Sequence, residues 1–157
     1  MNNPFPTLNL PPFNANIRRE GKNVRIFDTL RQRFVALTPE EWVRQHFVNM
    51  LLTNYGFSSS LTANEVSLSL NGMSRRCDTV VYDKQLRPRM IVEYKRPSVE
   101  ITQRVFDQIC RYNMVMHVDY LVVSNGMHHF ACRMDYERQT YEFLKEIPNA
   151  ETVLGNE

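Results

Sequence analysis

Asp78, followed fifteen residues later by Glu93-Tyr94-Lys95, supplies two carboxylates and one amine at a spacing that a β-hairpin could gather around a divalent cation. Asp78 sits in the run Arg76-Cys77-Asp78-Thr79-Val80-Val81-Tyr82, and Glu93 and Lys95 sit in Met90-Ile91-Val92-Glu93-Tyr94-Lys95. Both runs are rich in β-branched residues, and the polar, proline-ended stretch Asp83–Pro88 between them reads as a turn. A fold about Gln85 and Leu86 sets Asp78 directly across from Glu93, and facing Cβ atoms on paired strands lie roughly 4.5–5.5 Å apart. Strand side chains alternate, so Lys95 shares the face of Glu93 while Tyr94 takes the other.

Two carboxylates this close repel when both are ionised, which raises one pKa, and a divalent cation reverses the penalty. Mg²⁺ is held by one or two carboxylates, several waters and substrate phosphate oxygens; Mn²⁺ can stand in for it. Such an ion acidifies a bound water and polarises a phosphoryl group. Lys95 is suited to orient the attacking water and to offset charge at phosphorus, and the Tyr94 backbone carbonyl is a candidate further metal ligand. On its own, Glu-x-Lys is also what an ordinary solvated strand face with weak cross-strand ion pairs looks like. The apolar context of Ile91 and Val92 points instead to an interior strand, where charges need a reason to be present.

The surrounding elements follow from pattern. Thr38-Pro39-Glu40-Glu41 has a cap, a first-turn proline and the acid of a capping box. With Trp42, Val43, His46, Phe47, Met50 and Leu51 at helical spacing, it predicts a helix from 39 to about 54. Glu41 is open to two readings, a capping-box acid or a weak additional metal ligand. Asn23–Phe27 and Arg33–Leu37 predict a short hairpin. Val66–Leu70 predicts a strand ending at the Asn71-Gly72 turn. From Val99 to about Met116 the apolar residues keep a helical period, and Tyr120–Val123 and His129–Met134 predict two strands around a type I′ turn at Asn125-Gly126. Strand, helix and strand over this length make a βαβ crossover, hence a parallel pair within a mixed sheet. The expected class is α/β, with residues 1–16 as a proline-rich arm, 17–148 as one domain and 149–157 as a tail.

Composition sets wide bounds. The 157 residues are 43% hydrophobic and 23% charged, with 19 basic against 17 acidic residues, so any nucleic-acid footprint must be local. Arg75-Arg76, Lys95-Arg96, Arg87 and Arg89 cluster around the acids, where phosphate positioning or a plain solvated rim would explain them equally. Arg104 and Arg111 flank Gln108 and Tyr112, two residues four apart and hence on one helical face, which by themselves read as helix surface with a partly buried tyrosine. Three cysteines, odd in number and far apart in sequence, read as reduced thiols, and the expected location is the cytoplasm with no membrane segment. His117, His128 and His129 read as structural.

Asp78, Glu93-x-Lys95 and Gln108-x-x-x-Tyr112 resemble the PD-(D/E)XK nuclease superfamily with its QxxxY extension. More narrowly, the stretch from Ile26 through Thr38–Gln45 to Ser124-Asn125-Gly126 resembles the N-terminal domain of type I restriction enzyme R subunits, over roughly residues 17–148. The resemblance implies a restriction-endonuclease-like mixed sheet flanked by helices, Mg²⁺-dependent hydrolysis of phosphodiester bonds, and double-stranded DNA as substrate. It implies Asp78 and Glu93 as metal ligands, Lys95 as the catalytic amine, and Gln108 and Tyr112 as a pair that positions DNA or active-site groups; Arg76, Arg96 and Arg104, as basic neighbours of these residues, are expected to contact the DNA backbone. It also implies motor, methylation or specificity subunits as partners. Cys77 stands where the superfamily's name has proline. No Gly-x-x-x-x-Gly-Lys-[Ser/Thr] loop occurs, so an ATP-driven motor is not expected within these residues. The rival expectation is a nuclease-like DNA-binding or subunit-binding module that does not cut by itself.

Overall fold

A computed structural model describes residues 5–155. Three antiparallel strands come first: β1 (Ile17–Glu20), β2 (Asn23–Asp28) and β3 (Arg33–Ala36), in that spatial order. The expected hairpin is β2–β3. β1 has no buried residue and hence no apolar alternation to announce it. Helix α1 (Pro39–Asn54) follows, with the Thr38 hydroxyl accepting from the Glu41 N–H. Only that half of the capping box forms as expected: the Glu41 carboxylate turns away to Arg31, Arg44 and Gln45.

The main sheet runs in chain order, β4 (Thr62–Leu70), β5 (Met73–Tyr82), β6 (Pro88–Tyr94), β7 (Tyr120–Ser124), β8 (His129–Asp135) and β9 (Thr140–Phe143). Every neighbouring pair is antiparallel except β6–β7, which is parallel and joined through α2 (Gln103–Met114). The crossover reading therefore holds, but α2 starts later than Val99. Thr102 caps it by accepting from the Val105 N–H, while Pro97–Thr102 make the turn that precedes it. Asn71 and Gly72 carry φ of 51° and 77°, as a type I′ turn requires. The second expected type I′ turn is not one. Asn125 keeps a negative φ, its side chain accepts from the N–H groups of Met127 and His128, and the connection is a four-residue loop.

Alternation along β5 and β6 divides the core. Val81, Met90, Val92 and Tyr94 pack with Trp42, Val43, Phe47 and Leu51 of α1. Val80, Ile91, Leu121 and Val123 pack with Phe106 and Cys110 of α2. The sheet is thus a layer between two helices, each screening one face. Residues 149–155 include a short helix, α3 (Ala150–Leu154), with Val153 buried in the α1-side core and the Ala150 N–H bonded to the Tyr55 carbonyl. Ahead of β1, Phe5 stacks on Trp42, the Trp42 ring N–H donates to Pro6 O, and the Asn9 N–H donates to Gly126 O. The described part of the arm, residues 5–16, lies along the domain. Among the described residues, no helix is long and apolar enough to cross a membrane.

Candidate active site

The β5–β6 register is the one the turn implies. Val81 faces Met90, Val80 faces Ile91 and Thr79 faces Val92, with a shift only beside the turn at Val81/Tyr82. One step further places Asp78 across from Glu93, and here side chains replace the ladder. The Tyr94 N–H donates to Asp78 Oδ2 at 2.9 Å, while the Asp78 carbonyl accepts from Arg44 Nη1 at 2.7 Å. On the other side of Asp78, Glu65 of β4 adopts a φ of 55°, an uncommon left-handed conformation for a glutamate within a strand.

Asp78, Glu93 and Lys95 line one cleft of about 390 Å³, together with Glu40, Gln108, Tyr112 and Asn113. Tyr94 also borders it, but its ring lies on the opposite face, as alternation demands. Its hydroxyl donates to Thr79 Oγ1, and its ring packs edge-on to Phe47 at 5.8 Å. Lys95 sits just past the end of β6, where its N–H donates to Ser124 O and extends the parallel ladder. Its ammonium makes no ion pair among the described residues, in contrast to Arg76, which binds Glu65 at 2.8 Å.

Glu93 is the electrostatic centre of the cleft. Burial and then the Asp78 carboxylate push its pKa up from 4.5 to about 9. The Asp78 backbone and the Asn113 amide pull the other way, but Glu93 Oε1 is buried and has no hydrogen-bond partner among the described residues. At neutral pH this carboxyl therefore holds its proton unless a cation compensates the charge.

A group of buried charges braces the acids from the α1 side. Arg44 donates to Glu41 Oε2 at 2.9 Å, to Glu65 Oε1 at 2.6 Å and to the Asp78 carbonyl, and its guanidinium lies 5.9 Å from the Tyr94 ring centre. Burial disfavours its charge, but the Glu41 and Glu65 carboxylates outweigh that and raise its pKa. Arg31 joins Glu41 to Asp28, and Asp28 accepts from Asn64 Nδ2 at 2.9 Å, which ties the three-stranded sheet to β4. Glu41, a candidate metal ligand by sequence, is engaged here and does not line the cleft. Glu40 does.

Gln108 and Tyr112 both face the cleft from α2. Tyr112 is 47% exposed, and the Arg75 guanidinium lies 4.5 Å from its ring centre while donating to its carbonyl. Arg96 and Arg104 are exposed, form no ion pair among the described residues and do not line the cleft. Of the histidines, His129 bonds Ser124 Oγ and the Asn9 carbonyl, and the His117 ring stacks on Tyr136. Cys110 and Cys132, distant in sequence, are neighbours in the α2-side core, each within 3.9 Å of Met134 Sδ and each a free thiol. Sequence reasoning missed Arg44 and Asn113. Arg44 reads as a polar residue interrupting an apolar stripe, and Asn113 as one more helix residue after Tyr112.

No group of three or more His, Cys, Asp or Glu side chains suited to a metal occurs among the described residues. A cage built wholly of such side chains is therefore not what this cleft offers. Two facing carboxylates, one with a buried unpartnered oxygen, do fit a hard divalent cation that completes its shell with carbonyl, water or phosphate oxygens.

Residues 39–148 match the family model for the N terminus of the type I restriction enzyme R protein. The chain belongs to this family. The matched part of this R-protein N-terminal domain runs from α1 through β9 and holds every residue that lines the cleft, while β1–β3 lie outside it. A solved fragment assigned to an HsdR subunit of a type I restriction enzyme from Vibrio vulnificus YJ016 shares its fold, with a TM-score of 0.53 over 74% of this chain at 16% identity. The domain spans only 24% of that chain. A chain in the cryo-EM structure of the DrdV–DNA complex gives a TM-score of 0.44 at 17% identity, covering 69% of this chain and 11% of that one. No curated protein sequence matches.

Proposed function

We propose that this domain is a metal-dependent DNA endonuclease of the PD-(D/E)XK type, acting in a restriction system on double-stranded DNA. The observation that carries the reading is the pair Asp78 and Glu93, facing each other in register with a buried unpartnered oxygen between strand and helix, beside a lysine that no acid neutralises. Membership of the R-protein family supports the restriction setting and motor, methylation or specificity subunits as partners.

Asp78 and Glu93 would hold Mg²⁺, or Mn²⁺ in its place, with the Tyr94 carbonyl as a further oxygen. Bound there, the cation would acidify a water and polarise the scissile phosphate. The remaining work falls to the protein. The Tyr94 N–H fixes one Asp78 oxygen, and Arg44 fixes the Asp78 carbonyl from behind, so the acid cannot swing out of the cleft. Lys95 supplies an uncompensated positive charge for the negative charge that builds on the phosphoryl oxygens, with its backbone pinned to β7. Gln108, Tyr112 and the stacked Arg75 form the α2 wall along which a DNA backbone would be steered, and Arg76, Arg96 and Arg104 add positive charge outside it.

Supercoiled plasmid incubated with Mg²⁺ or Mn²⁺ tests this. Nicked or linear product is expected, lost by at least about 100-fold in Asp78→Ala and Lys95→Ala, the size of effect of a single charge-stabilising group. Lys95→Ala should leave stability within about 0.5 kcal/mol because the ammonium has no partner to lose. An absence of metal-dependent cleavage by the wild-type chain, alone and with its restriction subunits, would sink the proposal.

A further inference from the structure

Helix α2 buries Phe106, Cys110 and Asn113, one stripe of which the last position is polar. Asn113 is 1% exposed. One of its amide hydrogens is committed, since Nδ2 donates to the Ile109 carbonyl at 2.9 Å. That bond also fixes which end is which, because a flipped amide would set Oδ1 against the Ile109 carbonyl, acceptor against acceptor. Asn113 Oδ1 is then buried without a hydrogen-bond partner among the described residues. An orphaned buried acceptor is costly, and a leucine in this stripe would carry no such cost. The cleft holds a second orphan of the same kind, Glu93 Oε1. The Asn113 amide lies close enough to Glu93 to favour its ionised form.

With a cation in place of the Glu93 proton, both groups are acceptors on residues that line one cleft, and they require donors between them. A water on a divalent cation offers two hydrogens and has its lone pair already engaged, so it suits two acceptors better than a group that also needs a donor. We propose that Asn113 is a positioning residue of this centre, its amide oxygen holding a hydration water of the cation opposite Glu93. This rests on the metal reading above and adds to it a residue outside the sequence motifs. Partners of this kind, which orient the shell around a metal, shift metal affinity by about 10–100-fold.

The test is Mn²⁺ titration calorimetry on wild type, Asp78→Asn, Asn113→Leu and Asn113→Ala, with urea unfolding of each in EDTA. Wild type is expected to bind Mn²⁺ and Asp78→Asn to lose it. Asn113→Leu and Asn113→Ala are expected to bind about 10–100-fold more weakly. At least one of the two should unfold at a urea midpoint equal to or above that of wild type, because a buried unpartnered acceptor is gone. Wild-type affinity in both Asn113 variants would overturn the inference and leave the metal reading standing. A midpoint below wild type in both variants would overturn it too, since the amide would then be a structural element. No Mn²⁺ binding by wild type would overturn the metal reading and this inference with it.

Discussion

Replacing Glu93 with glutamine should stabilise the metal-free protein, and should do so more strongly as pH rises. In the folded chain the Glu93 carboxyl titrates near 9, against an ordinary 4.5, because it is buried and faces Asp78. Between those two values the unfolded chain has released the proton while the folded chain keeps it. The folded state thus binds more protons, and stability falls with rising pH throughout that window. Each pH unit is worth about 1.4 kcal/mol, so the handicap reaches roughly 3 kcal/mol at pH 7. Glutamine keeps the shape, offers Asp78 a permanent N–H donor and does not titrate. Urea unfolding of wild type and Glu93→Gln in EDTA at pH 5, 6, 7 and 8 measures the gap directly, and titrating groups that do not interact with Glu93 cancel in the difference. The gap should be under about 1 kcal/mol at pH 5 and should widen by about 1.4 kcal/mol per unit. A gap that is constant across pH, or that favours wild type, refutes the account of the acid pair. The same linkage makes cation affinity rise with pH up to about 9, because the ligand must first lose its proton.

Two further substitutions probe the supports. Arg44→Met leaves the Glu41 and Glu65 carboxylates without their shared buried counter-charge and frees the Asp78 carbonyl, so urea unfolding should register a loss of about 3–5 kcal/mol. A loss below 1 kcal/mol would mean that the buried charges do not brace the site. At Gly126, with φ of 86°, an added Cβ would come within 2.8 Å of Leu8 Cδ2 and 3.1 Å of Val43 Cγ2. Gly126→Ala should therefore cost about 1–3 kcal/mol and loosen the arm, seen as faster chymotrypsin cleavage after Phe13; unchanged cleavage would contradict the packing of Leu8 there.

The sequence was most informative where local chemistry dictates structure. Thr38 and Pro39 set the start of α1 through a hydroxyl cap and a fixed φ, and the bounds 39–54 follow. The Asp78–Glu93 facing is legible because a polar turn between two alternating strands leaves one register that buries the apolar face. What escaped was set at a distance. β1 and β9 are edge strands with no buried residues, so they carry no periodic signal. The Asn125-Gly126 dipeptide has the composition of a two-residue turn, but the Asn125 side chain captures two N–H groups and makes a longer loop. Arg44 acquires its meaning only when Glu65 arrives from β4, and Asn113 only when β6 brings Glu93 beneath α2. Neither event leaves a mark on local spacing.

The single parallel junction, β6 to β7, bears on the order in which the centre assembles. All other neighbouring strands of the main sheet close through hairpins or short loops, whereas this pair waits for the chain between Tyr94 and Tyr120 to form α2 and cross over. Distant contacts form late because their loop-closure entropy must be met before any contact repays it. The hairpin that brings Asp78 to Glu93 is therefore the early event, and the α2 wall with Gln108, Tyr112 and Asn113 the late one. The nascent hairpin faces its own charge repulsion in open water, where screening is strong, and is sealed under the helix afterwards. Folding kinetics and site electrostatics thus meet in one place: the acids come together while it is cheap and are enclosed once the crossover closes.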